Sequence, residues 1–319
     1  MNAARQSTSP AVLKTVALLL LLLTLYVWDR VVLAVSLPEI RTALDLTARQ
    51  TGLIASAFAA GVALVALPSG LLVRRVGFKP VLLCGALIFS LATAYPPWAH
   101  GFWDLLASRL LVGLGEGLFN VSLILYLGGV STHHRATWVG LAATVFGVAA
   151  SVGPPLIHFV DGAFGGWQVS FYVLAVLGGL LSFCLAILDP AALAKRSEPS
   201  RGDVGPSSVT RLLGFWPLLV LVGVVGLSLY SVTGLLPAWT REHFGFTAAS
   251  ADLALGAVGV GLLLGGAPMG LIADRFDRRS YALAIAIVCF LSVSAHMALN
   301  VGPIYAVVLG ALCGMVPTS

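Results

Sequence analysis

Apolar residues in this chain of 319 run in long, nearly unbroken stretches separated by short polar ones. A helix needs about 20 such residues to cross the roughly 30 Å hydrocarbon core of a bilayer. On that criterion the pattern predicts ten spanning helices, near residues 12–37, 50–72, 80–99, 102–128, 138–158, 169–188, 212–236, 251–272, 280–299 and 303–319. Helices are the expected form because each one satisfies its own backbone polar groups where no water is at hand. The first run is longer than the roughly 7–15 residues of a signal-peptide core. It carries Asp29 and Arg30 and lacks a small-residue cleavage pattern, so it reads as a membrane helix and not as a cleaved leader.

Composition strengthens the membrane reading. Hydrophobic residues make up 59% of the chain and charged ones 10%, against about 25% charged in an ordinary soluble domain. The 35 glycines suit helices that approach closely without a hydrophobic drive between them. Cys84, Cys184, Cys289 and Cys313 fall inside apolar runs without metal-ligand spacing, and read as buried packing residues.

The net charge of +5 does not indicate nucleic-acid binding, because the basic residues sit in short clusters between the spans. Their placement sets the orientation instead. With the N-terminus in the cytoplasm, thirteen of the 18 basic residues fall on the inner side. Three (Arg41, Arg49 and Arg241) fall outside, and Arg30 and Arg109 lie within spans.

The longest polar connection, residues 189–210, is rich in Pro, Gly and Ser and reads as a cytoplasmic linker. It separates a six-helix bundle, residues 1–188, from a shorter second bundle of about four helices, residues 211–319. The two are related by an internal repeat. A shift of 200 residues aligns Thr47–Arg75 with Thr247–Arg275 without gaps, matching Gly61 with Gly261, Pro68 with Pro268, Gly70 with Gly270 and Arg75 with Arg275. The eighth span follows the second by six crossings, so the copies run in the same sense. Parallel halves of this kind place a substrate site at the midplane between two bundles. A set of inert anchors would give no reason for the duplication.

Two further copies of a pattern follow the repeat: "GLLVRRVGFK" at Gly70–Lys79 and "GLIADRFDRR" at Gly270–Arg279. They resemble the cytoplasmic loop motif of the major facilitator superfamily, with Gly70, Arg75, Gly77 and Lys79 in the first copy and Gly270, Asp274, Arg275 and Arg279 in the second. Arg74 occupies the motif's acidic position and Asp277 its glycine, so the latch that the acid forms in the family does not carry over to Arg74. "SVGPPL" at Ser151–Leu156 and "GWQVSF" at Gly166–Phe171 are similar to the family's helix 5 and the start of its helix 6. The resemblance implies twelve helices in two pseudo-symmetric halves, so the ten predicted here leave two missing from a C-terminally truncated second half. It also implies a monomeric permease in a bacterial inner membrane.

Ionisable side chains within a span cost at least about 2.5–3.5 kcal/mol each on insertion scales and commonly mark transport pathways. Four lie well inside: Asp29 and Arg30 in the first span, Arg109 and Glu116 in the fourth. Arg109 and Glu116 are seven residues apart, on one helix face with Gly113 and Asn120. Tyr26 and Arg30 stack at i, i+4, while Asp29 points about 100° away. One of Asp29 and Arg30 is therefore expected to face a central cavity and the other a neighbouring helix.

Arg30 and Arg109, with Tyr26 and Asn120, are candidates to hold an anionic substrate, since guanidinium matches carboxylate geometry. Glu116 and Asp29 are candidates to carry a coupling proton. Burial favours the neutral acid and a nearby arginine the charged one, so substrate arrival can tip the balance. The alternative is that the two acids and two bases pair with each other and only fix helix packing.

The segments "WDRVVLAVSLPEI" and "RLLVGLGEG" are similar to the anion:cation symporter branch of the superfamily, whose organic-anion and proton residues match Arg30, Arg109 and Glu116. Spinster-like lipid transporters share the Asp-Arg and Gly-x-Gly-Glu pattern, so export of lipids or amphipathic drugs stays open, as does a non-functional or non-transporting truncated membrane protein. Ser228, Tyr230, Ser231 and Thr233 are the second half's counterparts to the charges of the first span. No phosphate-cradling loop, zinc motif or nucleophile elbow is present, so neither an enzyme nor a bound cofactor or metal is expected.

Overall fold

The protein is described here by a computed structural model covering residues 10–131 and 134–187, together with positions 247, 256, 259, 260 and 263. Six long helices account for almost all of it: α1 Pro10–Ala43, α2 Ala48–Val76, α3 Phe78–Thr93, α4 Phe102–Gly128, α5 Arg135–Phe164 and α6 Trp167–Ile187. Each is long and apolar enough to cross a membrane, α3 together with the short turn that follows it to Trp98. They fall on the six predicted spans of the first bundle. The predicted spans 212–236, 280–299 and 303–319, the linker and the second motif copy with Gly270, Asp274, Arg275 and Arg279 lie outside the described residues. Positions 256, 259, 260 and 263, inside the predicted span 251–272, are helical.

Two boundaries differ from the sequence expectation for physical reasons. The third helix ends at Thr93, not near residue 99, because Pro96 and Pro97 start a short 3-10 turn, Pro96–Trp98. Proline has no N–H to give and its ring clashes with the preceding turn. The first helix runs six residues past the apolar stretch, carrying Glu39 and Arg41 beyond it. At about 1.5 Å per residue its 34 residues span about 51 Å, more than a bilayer core.

Helix α2 opens with a capping box, in which the Gln50 N–H donates to Thr47 Oγ1 and the Thr47 N–H to Gln50 Oε1. It meets α3 through one residue, Gly77, at φ +88° and ψ 172°. That conformation is nearly closed to other residues, which is why the loop motif has a glycine there. Arg74 and Arg75 are exposed on the last turn of α2, where cations complement the helix dipole. Gly77→Ala is expected to cost about 1–3 kcal/mol, read as a lowered melting temperature in detergent. An unchanged melting curve would contradict the strained joint.

Helix α4 lies between α2 and α3, and its glycines set the spacing. A Cβ on Gly113 would collide with the Phe58 carbonyl of α2, and one on Gly115 would come within 2.6 Å of the Phe89 nitrogen of α3. Gly61 and Gly85 answer from the other side, so backbone packs on backbone. The outer surface is apolar, with Leu64, Leu91, Phe159 and Phe183 all exposed, as a hydrocarbon solvent requires. Trp98 and Trp103 are exposed at the α3–α4 connection, the level of an interfacial aromatic belt.

The expectation that the cysteines are buried does not hold for two of them. Cys84 on α3 and Cys184 on α6 are exposed on this lipid-facing surface. A small, weakly polar thiol suits hydrocarbon as well as a core. Cys289 and Cys313 lie outside the described residues.

Candidate functional site

Asp29 and Arg30 are neighbours on α1, so their side chains leave the helix about 100° apart. That divergence creates two separate ion pairs, both with α4. Asp29 turns toward α3 and α4. Its Oδ2 accepts a hydrogen bond from Arg109 Nη1 at 2.8 Å, and its Oδ1 accepts one from Thr93 Oγ1 at 3.0 Å. The two charged side chains are each 1% exposed. The Arg109 guanidinium also lies 5.6 Å from the ring centre of Phe171 on α6. Ser108 secures the same region by donating to the Ala92 carbonyl at 2.9 Å, in the last turn of α3.

Arg30 turns toward α2, α4 and α5. Its Nε donates to Glu116 Oε2 at 3.2 Å and its Nη2 to Glu116 Oε1, a two-point contact. Asn120, one turn further along α4, donates from Nδ2 to Glu116 Oε1 at 3.3 Å. The guanidinium carbon lies 4.6 Å from the ring centre of Phe58 and 5.5 Å from that of Phe146. The Arg30 side chain is 18% exposed, whereas that of Glu116 is 1% exposed. Of the four charges, Arg30 is the one that reaches an accessible surface.

Arg109 and Glu116 do share one face of α4, as their spacing required. About 10 Å of helix axis separates them, and two long arginine side chains bridge that interval to adjacent residues of α1. Tyr26 lies in the interior, its ring edge-on to Phe89 at 4.1 Å and to Phe119 at 4.6 Å. Its hydroxyl and Arg109 Nε have no hydrogen-bond partner among the described residues. Of the loop-motif residues, Gly70, Gly77 and Lys79 are partly buried and Arg75 is exposed, at the α2–α3 joint. Asp104 accepts a hydrogen bond from the backbone N–H of His100 at 2.8 Å, in the first turn of α4.

Sequence reading did not anticipate Thr93, Phe58, Phe146 and Phe171. A lone hydroxyl or ring inside an apolar helix carries no periodic signal, and only the packing reveals what it touches. A contact with the second half is also present. Ser151 Oγ on α5 donates to the Gly256 carbonyl at 3.0 Å. A Cβ on Gly259 would come within 2.6 Å of the Gly147 carbonyl.

Comparison with known proteins agrees with this architecture. The chain is 29% identical over 182 residues to the hexuronate transporter of Bacillus subtilis, covering 56% of this chain and 43% of that protein. It is 27% identical over 279 residues to a probable sulfoacetate transporter of Cupriavidus necator, covering 81% and 64%. Multidrug resistance protein MdtL of Salmonella paratyphi B matches at 30% over 182 residues, covering 56% and 46%. The chain thus spans only part of the length of these relatives, from 43% to 64%. Among solved structures, the transporter FucP in its outward conformation superposes with a TM-score of 0.74 at 19% identity, covering 96% of this chain and 82% of that one. The Major Facilitator Superfamily model matches residues 19–318, and the chain belongs to that family of membrane transporters.

Proposed function

We propose that the protein is a secondary transporter that moves a small organic anion, coupled to protons, by alternating access of one central site to the two sides of the membrane. The Arg30–Glu116 pair carries the reading. It joins a partly accessible cation to a buried acid, so an incoming anion would compete with Glu116 for the guanidinium. When a carboxylate or sulfonate approaches, it can take the guanidinium from Glu116 with matching geometry. Glu116 then loses the cation that kept it ionised, and a proton neutralises it in place. Asn120 steadies the acid in either form.

Arg109 and Asp29 take a different part in this scheme. Each is almost wholly buried and bonded to the other, with Thr93 completing the carboxylate's shell. They anchor α1 to α4, so that Arg30 presents its guanidinium at a defined height, while Tyr26 packs the interior beneath. The relatives named as a hexuronate transporter and a probable sulfoacetate transporter support an anionic substrate for this chain. In this reading residues 1–188 and 211–319 form the two halves of the transporter, with the N-terminus cytoplasmic in a bacterial inner membrane. The protein works as a monomer in the bilayer.

The test is uptake of a radiolabelled hexuronate and of sulfoacetate by proteoliposomes, with and without an inward proton gradient. Gradient-driven accumulation is expected. Glu116→Gln should abolish the response to the gradient while Arg30 still binds the anion. A gradient response in Glu116→Gln equal to that of the parent would refute the coupling.

The MdtL match favours a second reading, export of drugs. Efflux of a cationic dye without accumulation of either anion would select it.

A further inference from the structure

Arg30 is held by more than its acid. Phe58 on α2 and Phe146 on α5 both bring a ring within about 6 Å of its guanidinium, the range in which an aromatic quadrupole attracts a cation. The two rings differ in setting. Phe58 is buried, and the carbonyl of its own residue lies against Gly113, which fixes it in the α2–α4 contact. Phe146 is partly buried, on the helix whose Gly147 and Ser151 meet Gly256 and Gly259 of the second half.

We propose that Phe58 and Phe146 are positioning residues for the anion site, holding the Arg30 guanidinium in place when Glu116 releases it. The inference rests on the exchange of Glu116 for substrate described above. At that moment an arginine in a low-dielectric site loses its counter-charge before the new one is seated. The two rings narrow the positions its long side chain can take, so that the anion has less to order. With them the cation keeps its position and part of its stabilisation, so that binding meets a preorganised partner. Phe58 supplies the fixed part of this clamp. Phe146 supplies a part carried by α5, and α5 touches both Arg30 and positions 256 and 259.

The experiment compares Leu and Tyr at each position. Phe58→Leu and Phe146→Leu keep the apolar bulk and remove the ring face; Phe58→Tyr and Phe146→Tyr keep the ring. In proteoliposomes each Leu variant is expected to raise the KM for the transported anion about 3- to 30-fold, the span of cation–π strengths, with kcat changed much less. Each Tyr variant should stay within about twofold of the parent. Equal KM values for parent and Leu variants would overturn the proposal, and so would equal losses in the Leu and Tyr variants.

A second measurement decides the matter without transport. Melting of the detergent-solubilised full chain is compared for Phe58→Leu in the parent and in an Arg30→Met, Glu116→Gln background. Clamping requires a melting loss in the parent at least twice that in the background, where no cation remains. The same loss in both means that the ring only fills space, and overturns the proposal. If the parent accumulates no anion, the transport reading fails while this cycle still reports whether the rings hold Arg30.

Discussion

Replacing Arg109 by alanine is expected to remove most of the folded protein from detergent extracts. Arg109 is 1% exposed and supplies the only cation bonded to Asp29 among the described residues. Its loss leaves a carboxylate in the bundle interior bonded, among the described residues, to the Thr93 hydroxyl. Breaking a buried ion pair from one side costs about 3–5 kcal/mol, a large fraction of the roughly 5–15 kcal/mol that separates folded from unfolded domains. The pair itself is another matter, because desolvation offsets much of its attraction. Asp29→Leu combined with Arg109→Met removes both charges and keeps the volume, so the double variant is expected to recover a monodisperse peak and most of the parent's melting temperature. The contrast between single and double variants is the measurement. If Arg109→Ala melts within a degree or two of the parent, the pair is not buried as described.

The second large effect is steric. Gly115→Val is expected to force α3 and α4 apart, since its Cβ would stand 2.6 Å from the Phe89 nitrogen and 2.8 Å from the Gly85 carbonyl. These are backbone atoms, so no rotamer change relieves the contact. Overpacking ordinarily costs about 1–3 kcal/mol where side chains can yield, and here the helices themselves must yield. Glu116 follows immediately in α4, so the same displacement would carry it away from Arg30. Gly179→Val on α6 is the control, because nothing lies within 4 Å of a Cβ placed there. Expression and thermal melting of the two variants side by side test the assignment. A Gly115→Val protein as stable as Gly179→Val would show that the close α3–α4 approach is not needed.

These variants separate features that look alike in the chain. Gly115 and Gly179 are both glycines in apolar helices, yet one is a backbone contact and the other faces open space. Arg30 and Arg109 are both arginines within spans, yet one reaches an accessible surface and the other is sealed. Cys84 and Cys184 fitted a buried reading as well as an exposed one until the helices were packed.

Helix class, the six spans of the first bundle and the presence of four charges within it follow from the order of residues alone. The physical reason is that the bilayer imposes a length and a polarity on each segment independently, so local composition is sufficient. The glycine at position 77 and the early stop of α3 before Pro96 are local too, being matters of backbone torsion and missing donors.

Partner choice is of another kind. The chain placed Arg109 and Glu116 on one face of α4, and set Asp29 and Arg30 about 100° apart on α1, which narrowed the possible pairs. That Asp29 takes Arg109 with Thr93, and Arg30 takes Glu116 between two phenylalanines, depended on how α1 and α4 cross and on what α2, α3 and α5 bring alongside. Interatomic contacts between residues some 80 positions apart have no signature in periodicity or composition. They exist only once the glycine-lined helices have closed to their packing distance.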